Sequence, residues 1–289
     1  MRIGSKIEQK NKENIKEREN GHAKDMEGDR VKKIALVLFV ALCGLVIDPF
    51  SAFAKDWYFK PAKNHQPATT EPEYEALLKK YDGIYIGDPS KKELFLTFDN
   101  GYEAGYTAHI LDTLKKEHVP ATFFITGHYI SDQPELVKRM VNEGHIIGNH
   151  SWSHPDLAKI SDAKYKKELA KLKARYTKLT GQTEMNYLRP PRGTFSERSL
   201  KLGHDEGYIN VFWSAAYRDW LRDEQHGADY AYDHIMKRMH PGAVILLHTV
   251  SKDNAEALPK VIHDLKKQGY RFRSLDDLMA ERTLPSKFW

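Results

Sequence analysis

Between Leu94 and the C-terminus, a short apolar run is followed by a stretch of helical periodicity seven times over, and this alternation limits the possible folds more than any other feature. The expected strands are Leu94–Phe98, Ala121–Ile125, His145–Gly148, Tyr187–Arg189, Asn210–Ser214, Ala243–Leu247 and Arg271–Arg273. Runs such as Phe123-Phe124-Ile125 and Val244-Ile245-Leu246-Leu247 are apolar at every position, as strands buried on both faces require. Repeated βα units imply a parallel sheet, either closed as a barrel or open and doubly wound. The clearest helix follows the third strand, where Tyr165, Leu169, Leu172, Tyr176 and Leu179 recur at spacings of four and three, with Ser161 as N-cap and Gly181 past the end. A helix over 102–116 is expected after the first strand.

Upstream of this pattern the chain changes character twice. Residues 55–90 are polar and Pro-containing around one short helix, Glu71 to Tyr81, and read as an extension packed on the domain formed by 91–289. Residues 1–54 read as a charged tail followed by a signal peptide. The apolar run Ile34 to Ile47 has fourteen residues, follows Arg30, Lys32 and Lys33, and ends in Ala52-Phe53-Ala54. Fourteen is short of the roughly twenty residues needed to span a bilayer, so export with cleavage after Ala54 is the expectation, and an uncleaved anchor the alternative. The lone cysteine, Cys43, lies in that run, which excludes a disulfide framework and a thiolate zinc site. Any metal must use His, Asp or Asn. Against 45 Lys and Arg stand 40 Asp and Glu, a net charge of +5 that is too balanced for a dedicated nucleic-acid clamp. No feature points to a stable protein partner.

In a βα barrel, reactive groups sit just past the C-terminal ends of the strands. Those positions hold Asp99 and Asn100 after the first strand, His150 and His154 after the third, Arg189 at the end of the fourth, Asp219 and Trp220 after the fifth, and His248 at the end of the sixth. Singly, each has an ordinary reading. Asp99 and Asn100 are good helix caps, His150 and His154 suit a surface loop, Arg189 suits a turn, Asp219 suits the surface, and His248 suits a core satisfied by backbone. Together they form a set able to bind a metal and move protons, with the four-residue offset of His150 and His154 turning two imidazoles to one side.

The ordered segments Thr97-Phe98-Asp99-Asn100, His150-Ser151-x-x-His154, Arg189-Pro190-Pro191-x-Gly193, Asp219-Trp220 and Leu246-Leu247-His248 resemble the polysaccharide deacetylases, the NodB-homology domain of carbohydrate esterase family four. Asn64-His65-Gln66-Pro67 and the segment from Leu247 to Ala257 look like the subgroup of delta-lactam-biosynthetic de-N-acetylases of spore-forming bacteria. The resemblance implies a distorted (β/α)7 barrel and a hydrolase that removes N-acetyl groups from peptidoglycan strands. It implies muramic acid as the sugar, with muramic delta-lactam of spore cortex as the later product. It casts Asp99 as base, His248 as acid, Arg189 and Asp219 as their respective tuning partners, and His150 and His154 as ligands of a divalent cation such as zinc. Trp220, Pro191 and Gly193 are the expected substrate contacts. Asn100 stands where most of the family has a second aspartate, so a weakly held cation is expected, since a neutral amide is a poorer ligand than a carboxylate. The alternatives are deacetylation of N-acetylglucosamine in peptidoglycan or chitin oligomers, and a catalytically silent glycan-binding protein.

Overall fold

The computed structural model describes residues 53–61 and 64–283. The expected charged tail and apolar run, with Cys43, lie outside the described residues. Among the described residues no helix is long and apolar enough to cross a membrane.

Seven parallel strands form one sheet: β1 (Glu93–Asn100), β2 (Ala121–Ile125), β3 (Ile146–Asn149), β4 (Tyr187–Leu188), β5 (Ile209–Asn210), β6 (Ala243–His248) and β7 (Arg271–Phe272). The spatial order is β6-β1-β2-β3-β4-β5, with β7 paired only to Glu93 and Leu94 at the start of β1. Between β5 and β6 the ring is completed by single bridges, Ile84 with Val211, Ile86 with Ala243 and Ala215 with Ile245. The fold is therefore a parallel α/β barrel distorted on that side. The short β4 has a local cause: one residue further on, Pro190 and Pro191 have no N–H to donate to a ladder.

Helices α1 (Pro72–Lys80), α2 (Thr107–Glu117), α3 (Gly127–Asp132), α4 (Pro134–Asn142), α5 (Asp162–Thr180), α6 (Glu197–Asp205), α7 (Ala228–Met236), α8 (Lys252–Lys267) and α9 (Leu275–Thr283) complete the chain. In α5 the Ser161 hydroxyl accepts from the Lys164 N–H and Gly181 ends the helix at φ 76, while Tyr165, Leu169, Leu172 and Tyr176 are buried. The stretch 102–116 is helical only from Thr107. Gly105 at φ 94 cannot continue a helix backward, and Glu103 folds the preceding residues into a loop by accepting from the Gly105 and Thr107 N–H groups.

Strand periodicity sorts the core into two shells. Leu94, Leu96 and Phe98 of β1, with Ala243, Ile245 and Leu247 of β6, face the helices. Phe95, Phe124, Tyr187 and Val244 face the barrel interior, and α9 adds Leu275 and Leu278 to them. The extension is tied to the domain at the β4–β5 connection. Lys55 and Asp56 pair with Phe195 and Thr194, and Trp57 stacks on Phe212 with ring centroids 4.5 Å apart.

Candidate active site

Because alternate positions on each strand share a face, the barrel interior receives Asp99 from β1, in line with Phe95 and Thr97, and His248 from β6, in line with Val244 and Leu246. His150 follows β3 and Arg189 follows β4 on the same side. These groups meet at a cavity of about 670 Å³ whose wall includes Asp99, His150, His154, Arg192, Trp220 and His248. Trp152, Trp213, Tyr102 and Leu246 supply apolar surface beside them. Asn100 has the opposite parity. It is fully buried behind the wall, where its Nδ2 donates to Thr249 Oγ1 at 2.9 Å and its Oδ1 has no hydrogen-bond partner.

Arg189 is completely buried, and its guanidinium donates to Asp99 Oδ1 at 2.8 Å and to the Val211 carbonyl at 3.2 Å. It lies over the Phe124 ring, 4.1 Å from the centroid. Burial works to raise the Asp99 carboxyl, but Arg189, His150 and His248 outweigh it and hold the group below its ordinary value. Asp99 is thus an ionised carboxylate with one oxygen engaged by Arg189 and the other facing His150.

The two histidines stand on a loop with unusual backbone. Ser151 and His154 both have positive φ, at 66 and 56. That loop is held from two sides: Glu168 of α5 accepts from the Ser153 N–H at 2.7 Å and hydroxyl at 2.8 Å, and the Gly127 N–H donates to the Ser151 and Trp152 carbonyls. Gly127 is obligatory there, since a Cβ would lie 2.3 Å from the Trp152 ring. His150 Nδ1 is 2.8 Å from the Arg189 carbonyl. A carbonyl only accepts, so Nδ1 carries the proton and Nε2 presents a lone pair, 3.5 Å from Asp99 Oδ2. Burial foremost lowers the basicity of His150, with Asp99 opposing, and burial followed by the His150 charge lowers His154 to about 4. The rings lie 4.9 Å apart. Two neutral imidazoles so placed fit a divalent cation as ligands, whereas Asn100, expected as a third, lies on the helix side of β1 and does not line the cavity with them. No cluster of three or more His, Cys, Asp or Glu suited to a metal exists among the described residues.

On the opposite wall, His248 Nδ1 lies 2.7 Å from Asp219 Oδ1, and the His248 N–H donates to Asp219 Oδ2. Burial lowers the imidazole's basicity, but the Asp219 charge and hydrogen bond prevail and raise it above the ordinary value. Asp219 is in turn held by Asn254 Nδ2 at 2.5 Å, from the first turn of α8, and Tyr217 donates to Asn254 Oδ1. With Nδ1 committed to Asp219, Nε2–H is the proton that His248 can donate into the cavity. Trp220, half exposed, sets its ring edge-on to His248 with centroids 5.7 Å apart.

Of the residues expected from sequence, the cavity thus gathers Asp99, His150, His154, Trp220 and His248, with Arg189 and Asp219 directly behind them. Pro191 and Gly193 are buried in the turn that carries Arg192 rather than on the wall. Three supports were missed: Glu168, Asn254 and Arg192. Asn254 lies in the segment compared with the delta-lactam subgroup, three residues after the cap Ser251, and that cap position was the available signal.

The sequence matches the family described as "Polysaccharide deacetylase" over residues 86–211. It is 53% identical over 229 residues to the peptidoglycan-N-acetylmuramic acid deacetylase PdaA of Bacillus subtilis, covering 79% of this chain and 87% of that protein. The solved structure of that PdaA, a family 4 carbohydrate esterase, superposes with a TM-score of 0.78 over 80% of this chain and 98% of the other. A Bacillus cereus peptidoglycan-N-acetylglucosamine deacetylase is 36% identical over 205 residues, 70% of this chain and 73% of its own length. With the motif residues converging on one cavity and these likenesses spanning the barrel, the chain belongs to the polysaccharide deacetylases of carbohydrate esterase family four.

Proposed function

We propose that this protein hydrolyses the acetamide of N-acetylmuramic acid residues in peptidoglycan, releasing acetate and leaving a free amine. The observation that carries this reading is the opposed tuning of two groups on one cavity: Arg189 holds Asp99 toward its ionised form, and Asp219 holds His248 toward its protonated form. Amide hydrolysis needs both, because water must lose a proton to attack and the amine must gain one to leave. Asp99 takes the water's proton through the oxygen not engaged by Arg189. His248 Nε2 delivers a proton to the departing nitrogen, and Asp219 stabilises the imidazolium before that transfer. Arg189 prevents Asp99 from being neutralised in its buried position. The walls of Trp152, Trp213 and Trp220 offer flat apolar faces to a pyranose ring.

A divalent cation held by His150 and His154 would supply polarisation of the acetamide carbonyl when bound, and Asn100, on the helix side of β1, would join them only by turning its side chain into the cavity. A ligand set without a carboxylate holds such a cation weakly. Calorimetric titration with zinc should show affinity lost in His154→Ala and raised in Asn100→Asp. Equal affinity in Asn100→Asp and the parent removes Asn100 from the ligand set.

Muramic acid is favoured by the 53% identity to a protein of that specificity. The freed amine lies beside the lactyl carboxyl and can condense with it to the delta-lactam of spore cortex. The apolar run Ile34 to Ile47 supports export to the peptidoglycan. Deacetylation of N-acetylglucosamine is the second reading, favoured by the 36% identity to the Bacillus cereus enzyme. The test is incubation of the purified protein with intact and stem-stripped peptidoglycan, followed by measurement of acetate and identification of the sugar that lost it. Free amine on muramic residues supports the reading. Free amine on glucosamine residues alone replaces it with the second, and no acetate from either overturns both.

A further inference from the structure

We propose that Arg192 forms a carboxylate subsite of the cavity and reads the lactyl carboxylate that distinguishes a muramic residue from glucosamine. The inference rests on the deacetylase reading above and names the feature of the substrate that selects it. Asp99 is the one carboxylate on the cavity wall, and it is engaged by Arg189. The wall also carries two guanidiniums, Arg192 and Arg222, and among the described residues neither has a carboxylate partner. Arg189, Arg198 and Arg218, on the same connections, each have one. The cavity therefore presents unneutralised positive charge beside the groups that would attack and release the acetamide.

Arg192 is also built into place. Its backbone is left-handed, φ 60 and ψ 5, a conformation that a non-glycine side chain adopts only where its surroundings impose it. The surroundings are evident. Pro190 and Pro191 stiffen the approach, the Gly193 N–H donates to the Pro190 carbonyl, and the Trp57 N–H donates to the Gly193 carbonyl at 2.9 Å. Gly193, itself at φ 71, is pressed between Trp213 and Trp57 so closely that a Cβ would lie 2.8 Å from the Trp213 ring. This turn carries Arg192, which is exposed to solvent, at the rim of the cavity on the side of His154. A guanidinium fork matches a carboxylate in bidentate geometry. In a muramic residue the lactyl ether on C3 adjoins the acetamide on C2, so a carboxylate lies within reach of the wall when the acetamide lies between Asp99 and His248.

The test compares acetate release from a muramic-acid oligosaccharide with a free lactyl carboxylate and from its methyl ester, using wild type, Arg192→Gln, Arg192→Lys and Arg222→Gln. Wild type should prefer the free carboxylate. Arg192→Gln should raise KM for it about ten- to a hundredfold, the effect of losing a charged hydrogen-bonding partner, with a smaller change in kcat. The preference over the ester should vanish in that variant and return in part in Arg192→Lys. Gln meets the same backbone strain as Arg, and the acid-against-ester comparison in wild type needs no variant. A wild type indifferent to esterification overturns the subsite, as does a preference that survives in Arg192→Gln or is lost only in Arg222→Gln. Muramic deacetylation with an unchanged Arg192→Gln overturns the subsite alone. Deacetylation confined to glucosamine overturns the deacetylase specificity on which the subsite rests.

Discussion

At the scale of single residues, function depends on neighbours that push Asp99 and His248 in opposite directions. The raised His248 keeps its acidic form to higher pH than a free imidazole, so activity should fall on the alkaline side of a bell as pH passes its folded value. Asp219→Asn removes the charge that raises it, and the alkaline limb of kcat/KM should move to lower pH. An unmoved limb in the pH–rate profile would show that another group sets it. The identities of these residues were readable in the sequence because each follows an apolar run at the end of a strand. Asn100 shows where that reading was incomplete. Alternation along β1 places Asp99 with Phe95 in the interior and Asn100 with Leu96 and Phe98 toward the helices, so parity alone separates the two neighbours. Arg192 was not legible, because an arginine in a turn looks the same in sequence whether it faces solvent or a cavity.

At the scale of elements, strands and loops divide the work. The strands position Asp99 and His248 by register, with Asp99 directly paired to His248 across β1 and β6. The loops are held by side chains from distant helices. Glu168, on the face of α5 turned toward the barrel, is the clearest case, since its carboxylate satisfies two donors of Ser153 in the histidine loop. Removing it in Glu168→Ala takes away two hydrogen bonds to a charged acceptor and should destabilise the protein by about 1–3 kcal/mol. Denaturant unfolding checks the stability, and zinc titration checks whether the imidazoles remain positioned. An unchanged zinc affinity would show that the loop holds its shape without Glu168. Such contacts join residues far apart in the chain, which is why periodicity located α5 and its core face but not this second role. The helix expected over 102–116 begins only at Thr107 for a local reason: Gly105 and Glu103 build a loop there, and a glycine at positive φ is a stop that apolar spacing does not register.

At the scale of the whole molecule, the barrel closes with help from outside its seven repeats. Ile84 and Ile86 bridge to Val211 and Ala243 where β5 and β6 do not pair, and Trp57 joins the extension to the turn of Arg192 through Gly193. Trp57 also donates its indole N–H to the Trp213 carbonyl at 2.9 Å. Trp57→Ala should therefore destabilise the protein by about 3–5 kcal/mol, as truncation of a buried aromatic does, and should weaken glycan binding through loss of the turn. Thermal unfolding and KM measure the two effects; a normal KM would separate the extension from the site. The seven-fold alternation made the barrel legible and the extension was expected to pack on it, but the place where it docks was not legible, because the two-residue strand Lys55–Asp56 carries no periodicity and finds its partner about 140 residues away.

The central claim is that Asp99 is the ionised base of a hydrolytic deacetylase, and the most direct measurement is the rate of acetate release by Asp99→Asn on stem-stripped peptidoglycan. The substitution preserves shape and removes the charge. The predicted result is a loss of about a hundred- to ten-thousandfold in kcat, with native thermal unfolding and glycan binding retained. A variant that keeps more than half of the wild-type rate would contradict the account.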